Sequence, residues 1–152
     1  MLASVSFRRN SIIALTLVAL GAFSACSNDD PAEPDNEPEI ASLRLTVGSN
    51  SVTISTTQSP TLDVAAGSNS VTAEWLKADG TVESRVTDAE FELRIAQVTG
   101  TDLVWTATSA RAGTLVVTGL AAGASTAARV SLFHKEEQHD DFGPLSFTVR
   151  VP

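Results

Sequence analysis

Phe91, Leu93 and Ile95 alternate with Glu90, Glu92 and Arg94. That spacing constrains the chain more than any other feature, because it puts an apolar and a charged face on one short segment. Side chains of a β-strand point alternately to opposite faces, so the segment reads as a half-buried strand. The same period of two begins at Ile40 and runs to the C-terminus. Leu43, Leu45 and Val47 alternate with Ser42, Arg44 and Thr46, and the pairs Val52/Ile54 and Leu62/Val64 repeat the pattern. Val71, Ala73 and Trp75 follow, then Leu115 to Thr118, then Val130 and Leu132 against Arg129 and Ser131. Phe147, Val149 and Val151 against Thr148 and Arg150 close the series. With its Thr, Val and Ser enrichment and regularly spaced turn signals, the chain is expected to be all-β. Residues 42–152 would form one antiparallel β-sandwich of about seven strands.

Turn chemistry punctuates the strands. Asp79-Gly80, between Trp75-Leu76-Lys77 and Val82, predicts a type I′ hairpin turn, whose two central residues need positive φ. Gly48-Ser49-Asn50-Ser51-Val52-Thr53 recurs as Gly67-Ser68-Asn69-Ser70-Val71-Thr72, and Val64-Ala65-Ala66-Gly67 is echoed by Leu120-Ala121-Ala122-Gly123. Two copies are too few for a repeat array, which needs about three or more units. The echoes read as one turn chemistry, Gly and Asn tolerating left-handed backbone, that leads into separate strands. The alanines of 121–128 favour a helix, but Gly119, Gly123, Ser125 and Thr126 weaken it.

The N-terminal part is of another kind. Arg8-Arg9 precede an apolar run from Ser11 to Phe23 of about 13 residues, short of the ~20 that a membrane-spanning helix needs. The run has the length of a signal peptide's apolar region, with a basic flank on its N-terminal side alone. Small residues then lead into the single cysteine of the chain as Phe23-Ser24-Ala25-Cys26. This stretch resembles the lipobox of bacterial lipoproteins, with Phe23 where lipoboxes usually carry Leu. The resemblance implies a cleaved signal peptide over residues 1–25, lipidation of Cys26 and anchorage at the bacterial outer membrane, facing the periplasm or the surface. The competing reading is an ordinary secretory signal that leaves Cys26 as a free thiol, an odd residue to leave unpaired in an oxidising compartment. Twin-arginine export fits poorly, given Phe7 before the arginine pair and Ser11 after it.

Between the two parts lies Ser27 to Glu39 (SNDDPAEPDNEPE), so residues 26–41 read as a lipidated Cys and a Pro-rich acidic tether. Prolines, repelling carboxylates and the lack of any apolar side chain larger than Ala leave this stretch disordered and extended. At ~3.1 Å per residue, its thirteen residues reach up to ~40 Å. Ser27-Asn28-Asp29-Asp30 also resembles the Ser-plus-acidic signal of some surface-exported lipoproteins, although any solvated spacer looks alike. Loss of Arg8 and Arg9 with the signal takes the net charge from −8 to about −10. The lysines are Lys77 and Lys135 alone and the arginines are scattered. Nucleic acid is therefore set aside as a partner, since its binding takes clustered cations to displace counterions. Anionic headgroups are disfavoured for the same reason, so membrane contact rests on the acyl chains, each buried CH₂ contributing ~0.8 kcal/mol. With Cys26 lipidated, no thiol is left for a disulfide.

Trp105-Thr106-Ala107-Thr108, followed by Gly119-Leu120-Ala121-Ala122-Gly123-Ala124-Ser125-Thr126 and a strand, resembles the second half of bacterial Ig-like group 2 domains. Thr61-Leu62-Asp63-Val64-Ala65-Ala66-Gly67 is similar to their early strand and glycine turn. The similarity covers residues 42–133 and lacks the family's usual Asn after the tryptophan strand. It implies a disulfide-free Ig-like sandwich used as a spacer or adhesive module, with no catalytic residues to carry over.

The longest break in the alternation is His134–Ser146 (HKEEQHDDFGPLS), expected as a loop between the last two strands. Connections of this length in compact domains are either functional or loosely ordered. It holds both histidines, His134 and His139, beside Glu136, Glu137, Asp140 and Asp141. Imidazole nitrogen and carboxylate oxygen suit Zn²⁺ and related ions. A bent loop would bring the two imidazoles together, which makes His134, His139, Glu136, Asp140 and Asp141 candidate ligands of a divalent metal. The plainer reading is a solvated acidic loop, with His134 continuing the inward parity of Val130 and Leu132.

Trp75 shares parity with Val71 and Ala73, so it is expected in the core rather than as a sugar-stacking platform. Leu103-Val104-Trp105 leaves the facing of Trp105 open, and Phe133, with the parity of Arg129 and Ser131, is expected at the surface. The chain has no Gly-x-Ser-x-Gly elbow, phosphate-binding glycine loop or His-Glu-x-x-His motif, so it is not expected to be an enzyme. These readings converge on a membrane-tethered, non-catalytic binding or structural module of the bacterial cell envelope. It would hold to the membrane by acyl chains, meet an envelope protein or polysaccharide, and need no cofactor. The alternative is an envelope metal-binding protein that uses His134–Ser146.

Overall fold

Each alternating segment buries its apolar set against segments from elsewhere in the chain. The computed structural model describes residues 37–152, in which nine strands form two sheets with no helix among the described residues. One sheet has the order β2-β1-β4-β7-β6, built from β1 (Ser42–Val47), β2 (Asn50–Ser55), β4 (Gly67–Leu76), β6 (Leu103–Ser109) and β7 (Ala112–Val117). The other has the order β3-β9-β8-β5, built from β3 (Thr61–Asp63), β5 (Phe91–Gln97), β8 (Ser125–His134) and β9 (His139–Arg150). Pairing is antiparallel except between β3 and β9, which run parallel with Leu62 opposite Val149. With β1-β4-β7-β6 facing β5-β8-β9, this is the strand arrangement of an Ig-like sandwich. Its first strand is divided, β1 lying in one sheet and β3 in the other, and β2 is an added edge. Nine strands thus replace the seven expected. The alternating series itself holds eight segments, Val52/Ile54 in β2 and Leu62/Val64 in β3 among them, and the ninth, β6, is masked by the unbroken apolar run Leu103-Val104-Trp105.

Leu43, Leu45, Val71, Trp75 and Leu115 from one inner face meet Leu93, Val130, Leu132, Phe147 and Val149 from the other. Full burial of such a side chain contributes about 1.5–3 kcal/mol. Trp75 is completely buried, as its parity indicates. Its indole N–H donates to the Ala110 carbonyl at 2.8 Å, and its ring meets Phe142 edge-on at 6.1 Å. Truncation to Ala would forfeit about 3–5 kcal/mol of burial and packing. Trp105 also faces inward, with Leu103 and Ala107, and leaves Val104 exposed. Its ring lies over Gly113, where a Cβ would come 2.3 Å from Cη2, and its Nε1–H donates to Leu93 O across the sandwich at 2.9 Å.

Two local expectations are corrected. Phe133 is 8% exposed, because the Arg94 guanidinium lies over its ring, 3.1 Å from the centroid, while bonded to Glu92. An outward position was read correctly, but the cation on the neighbouring strand covers it. At Asp79-Gly80 only Gly80 has positive φ (81°); Gly80 N donates to Lys77 O at 3.0 Å and Lys77 N to Thr81 O at 2.9 Å. This is the longer hairpin loop, an ordinary turn followed by a left-handed glycine, rather than type I′. The Asp79 side chain accepts from Thr81 N–H, which a two-residue turn would not permit.

The chain enters the sandwich already fastened. Glu39 N donates to Glu83 Oε2 at 2.9 Å and Ala41 N to Leu76 O at 2.8 Å, so the last residues of the expected tether are held. The signal segment 1–25, Cys26 and the rest of the tether to Asn36 lie outside the described residues.

Candidate functional site

Strand register builds one end of the molecule. Ser42 pairs with Leu76, Phe91 with His134, and His134 with His139. The segment between Leu76 and Phe91 packs beside the β8–β9 hairpin through Lys135 N to Glu90 O at 2.8 Å. His134–Ser146 is accordingly not a loop: β9 starts at His139, and Lys135–Gln138 is a four-residue turn with Gln138 at φ 60°. The strand escaped notice because two irregularities break its alternation. One lies at Gly143–Pro144, the other at Asp141. Phe133 pairs with Asp140 and Leu132 with Phe142, which leaves Asp141 as the extra residue of a β-bulge. Bulges re-aim side chains, and here consecutive Asp141 and Phe142 are both half-buried.

The re-aimed carboxylate meets the histidines. His134 Nδ1 lies 3.6 Å from Asp141 Oδ2 and 3.6 Å from Glu137 Oε2. His139 Nε2 lies 2.9 Å from Asp141 Oδ1 and 3.4 Å from Glu137 Oε2. The ligating atoms of His134, Glu137 and Asp141 fall within 4.8 Å of one another. Phe91 packs on the His134 ring at 4.9 Å and 34°, which fixes the imidazole plane. Of the five residues expected as ligands, His134, His139 and Asp141 are thus brought together. Glu136 and Asp140 are exposed and make none of these approaches, and Glu137, left out of the expected set, takes their place. Glu137 was within reach of a spacing argument, since the tight turn returns the residue at i+3 toward His134.

A second polar centre, not anticipated, lies in the segment that follows the Asp79-Gly80 turn. Glu83 is completely buried; its oxygens accept from Arg85 Nε (3.2 Å), Arg85 Nη2 (2.9 Å) and the Arg85 and Glu39 backbone N–H groups (both 2.9 Å). Arg111 Nη2 donates to the Glu83 carbonyl at 2.6 Å. Hydrogen bonding from the Arg85 side chain outweighs the opposing effect of burial and holds the Glu83 carboxyl down at about 2, against an ordinary 4.5. Every ligand of this carboxylate comes from the chain itself, so Glu83 is a clasp and not a vacant receptor. Set against known protein families and curated proteins, the chain matches none of them.

Proposed function

We propose that the protein is a membrane-tethered, non-catalytic binding or structural module of the bacterial cell envelope, anchored through lipidated Cys26. The observation that carries this reading is the way the chain enters the sandwich. An acidic, Pro-rich stretch follows the lipobox-like Phe23-Ser24-Ala25-Cys26 and ends at Glu39 and Ala41, which are bonded to Glu83 and Leu76. A spacer with a fastened root supports a domain held off a membrane by its N-terminal side. The likeness to bacterial Ig-like group 2 domains supports a spacer or adhesive role. A groove of about 380 Å³ between 55–59 and 144–146, lined mainly by hydroxyl groups and free of titratable side chains, suits a neutral hydrogen-bonding partner such as a polysaccharide or a neighbouring protein surface.

The intact mass of protein extracted from membranes should correspond to residues 26–152 plus a diacylglyceryl group and a fatty acid. Cys26→Ser should move the chain out of the membrane fraction. An unmodified product that starts at another residue overturns the reading.

A further inference from the structure

We infer that the β8–β9 hairpin binds one divalent transition-metal ion of the Zn²⁺/Cu²⁺ class through His134, Glu137 and Asp141, with His139 as the fourth ligand. The inference is independent of membrane anchoring. A tetrahedral ion with bonds of ~2.0–2.1 Å spaces its ligands by ~3.3–3.4 Å, because the edge of a tetrahedron is about 1.63 times the centre-to-corner distance. Glu137 Oε2, at 3.6 Å from His134 Nδ1 and 3.4 Å from His139 Nε2, lies near that edge from both imidazoles. Asp141 turns Oδ2 to His134 (3.6 Å) and Oδ1 to His139 (2.9 Å) and so spans the pair with both carboxylate oxygens. His139 lies outside the tightest group of three, but its side chain is 55% exposed and free to close on the ion.

The second observation is Asp141 Oδ1. It is buried and receives no hydrogen bond, although His139 Nε2 stands 2.9 Å away. A cation coordinated by both atoms would satisfy this oxygen where no hydrogen bond reaches it. Buried carboxylate oxygens left unpartnered are costly, and the bulge that places this one is kept in the fold. The interior ligands are also held in position: His134 by Phe91, and the turn by Gln138 N to His134 O at 2.9 Å. Two imidazoles with two carboxylates suit Zn²⁺ or Cu²⁺, whereas Ca²⁺ and Mg²⁺ take six or more oxygens and no nitrogen from such sites.

The test is calorimetric titration of the full chain with ZnSO₄ and CuCl₂ in about 0.5 M NaCl, where diffuse attraction to a net-negative surface is screened. One ion per chain should bind at micromolar or lower Kd, and CaCl₂ and MgCl₂ should give no such isotherm. Asp141→Asn and His134→Ala should each weaken binding at least about tenfold, the loss that even outer partners of metal ligands cause. Glu136→Gln and Asp140→Asn should change it less than about twofold. Should Asp141→Asn alter the β-sheet circular dichroism, the exposed positions Glu137→Gln and His139→Ala carry the test, with the same tenfold loss expected. Absence of binding, binding that survives the ligand variants, or equal losses in Glu136→Gln and Asp140→Asn overturns the inference.

Discussion

The same six residues, Gly-Ser-Asn-Ser-Val-Thr, occur at 48–53 and at 67–72 and end in different structures. In the first copy Gly48 (φ 57°) and Ser49 make the turn between β1 and β2, and Asn50 opens an edge strand, exposed, donating to Asp63 O at 3.0 Å. In the second, Gly67 (φ 90°) itself opens β4, an interior strand between β1 and β7. Asn69 is buried there; it donates to Ala65 O (2.8 Å) and Gly67 O (3.0 Å) and accepts from Ala65 N (3.2 Å). Val71 is completely buried, whereas its counterpart Val52 is half-buried. What the two copies share is the left-handed glycine and the extended backbone after it. What differs comes from the neighbours on either side of the strand, and strand energetics reside mainly in those neighbours.

That comparison can be broken at four levels. The largest difference is expected between the valines. Val71→Ala should cost about 2–3 kcal/mol through lost burial and a residual cavity, against about 1 kcal/mol or less for Val52→Ala. Equal shifts in urea midpoint would show that burial does not separate the copies. Next come the asparagines: Asn69→Ala leaves the Ala65 and Gly67 backbone groups unpartnered and should cost about 1–3 kcal/mol, against less than about 0.5 kcal/mol for Asn50→Ala. The glycines should not differ. Each has positive φ with nothing within 4 Å of an added Cβ, so Gly48→Ala and Gly67→Ala should each cost about 1–2 kcal/mol from backbone strain alone.

Acid should leave all three paired differences unmoved, because neither copy carries a titratable side chain, while it lowers the stability of every variant together. The sign follows from Glu83. Its folded-state value, about 2, lies below the ordinary 4.5, so the unfolded chain takes up the proton first. The stabilisation is complete above pH ~4.5 and is lost as pH falls toward 2. Asp63, lowered by its hydrogen bonds with Arg150, and Asp79, lowered by Thr81, act in the same direction. Denaturation of Glu83→Gln should show a shallower loss over that range than the parent chain.

Much of the sandwich was legible because parity alone separates inside from outside. Trp75, Leu93, Val130 and Phe147 all fall inward as their alternation indicates. Parity fails where the backbone adds a residue. The bulge at Asp141 turned half of β9 into an apparent loop and hid which carboxylate faces the histidines. Parity is also blind to partners on the next strand, which is why Arg94 over Phe133 came as a correction. Glu83 was illegible for a third reason. A buried carboxylate is recognisable by its donors: Arg85 stands two residues away, but Glu39 is brought onto the carboxylate, and Arg111 onto the Glu83 backbone carbonyl, by the fold alone. The histidine cluster lay between these cases: its residue types were visible, its membership was not.

The divided first strand has a mechanical consequence. Chain enters at the Ser42 end of β1, which pairs with Leu76, and leaves beyond Arg150, which pairs with Ser125 at the opposite end of the sandwich. A pull between the two flanks therefore runs along the strands. β1 is bonded on both sides, to β2 and β4, by hydrogen bonds that lie across the direction of such a pull. Loaded this way, the bonds of both ladders bear the force together and must slide at once; loaded from one end of a hairpin, they would open singly. The bond from Glu39 to Glu83 lies ahead of those ladders on the chain and is a single contact, so it would open before they slide.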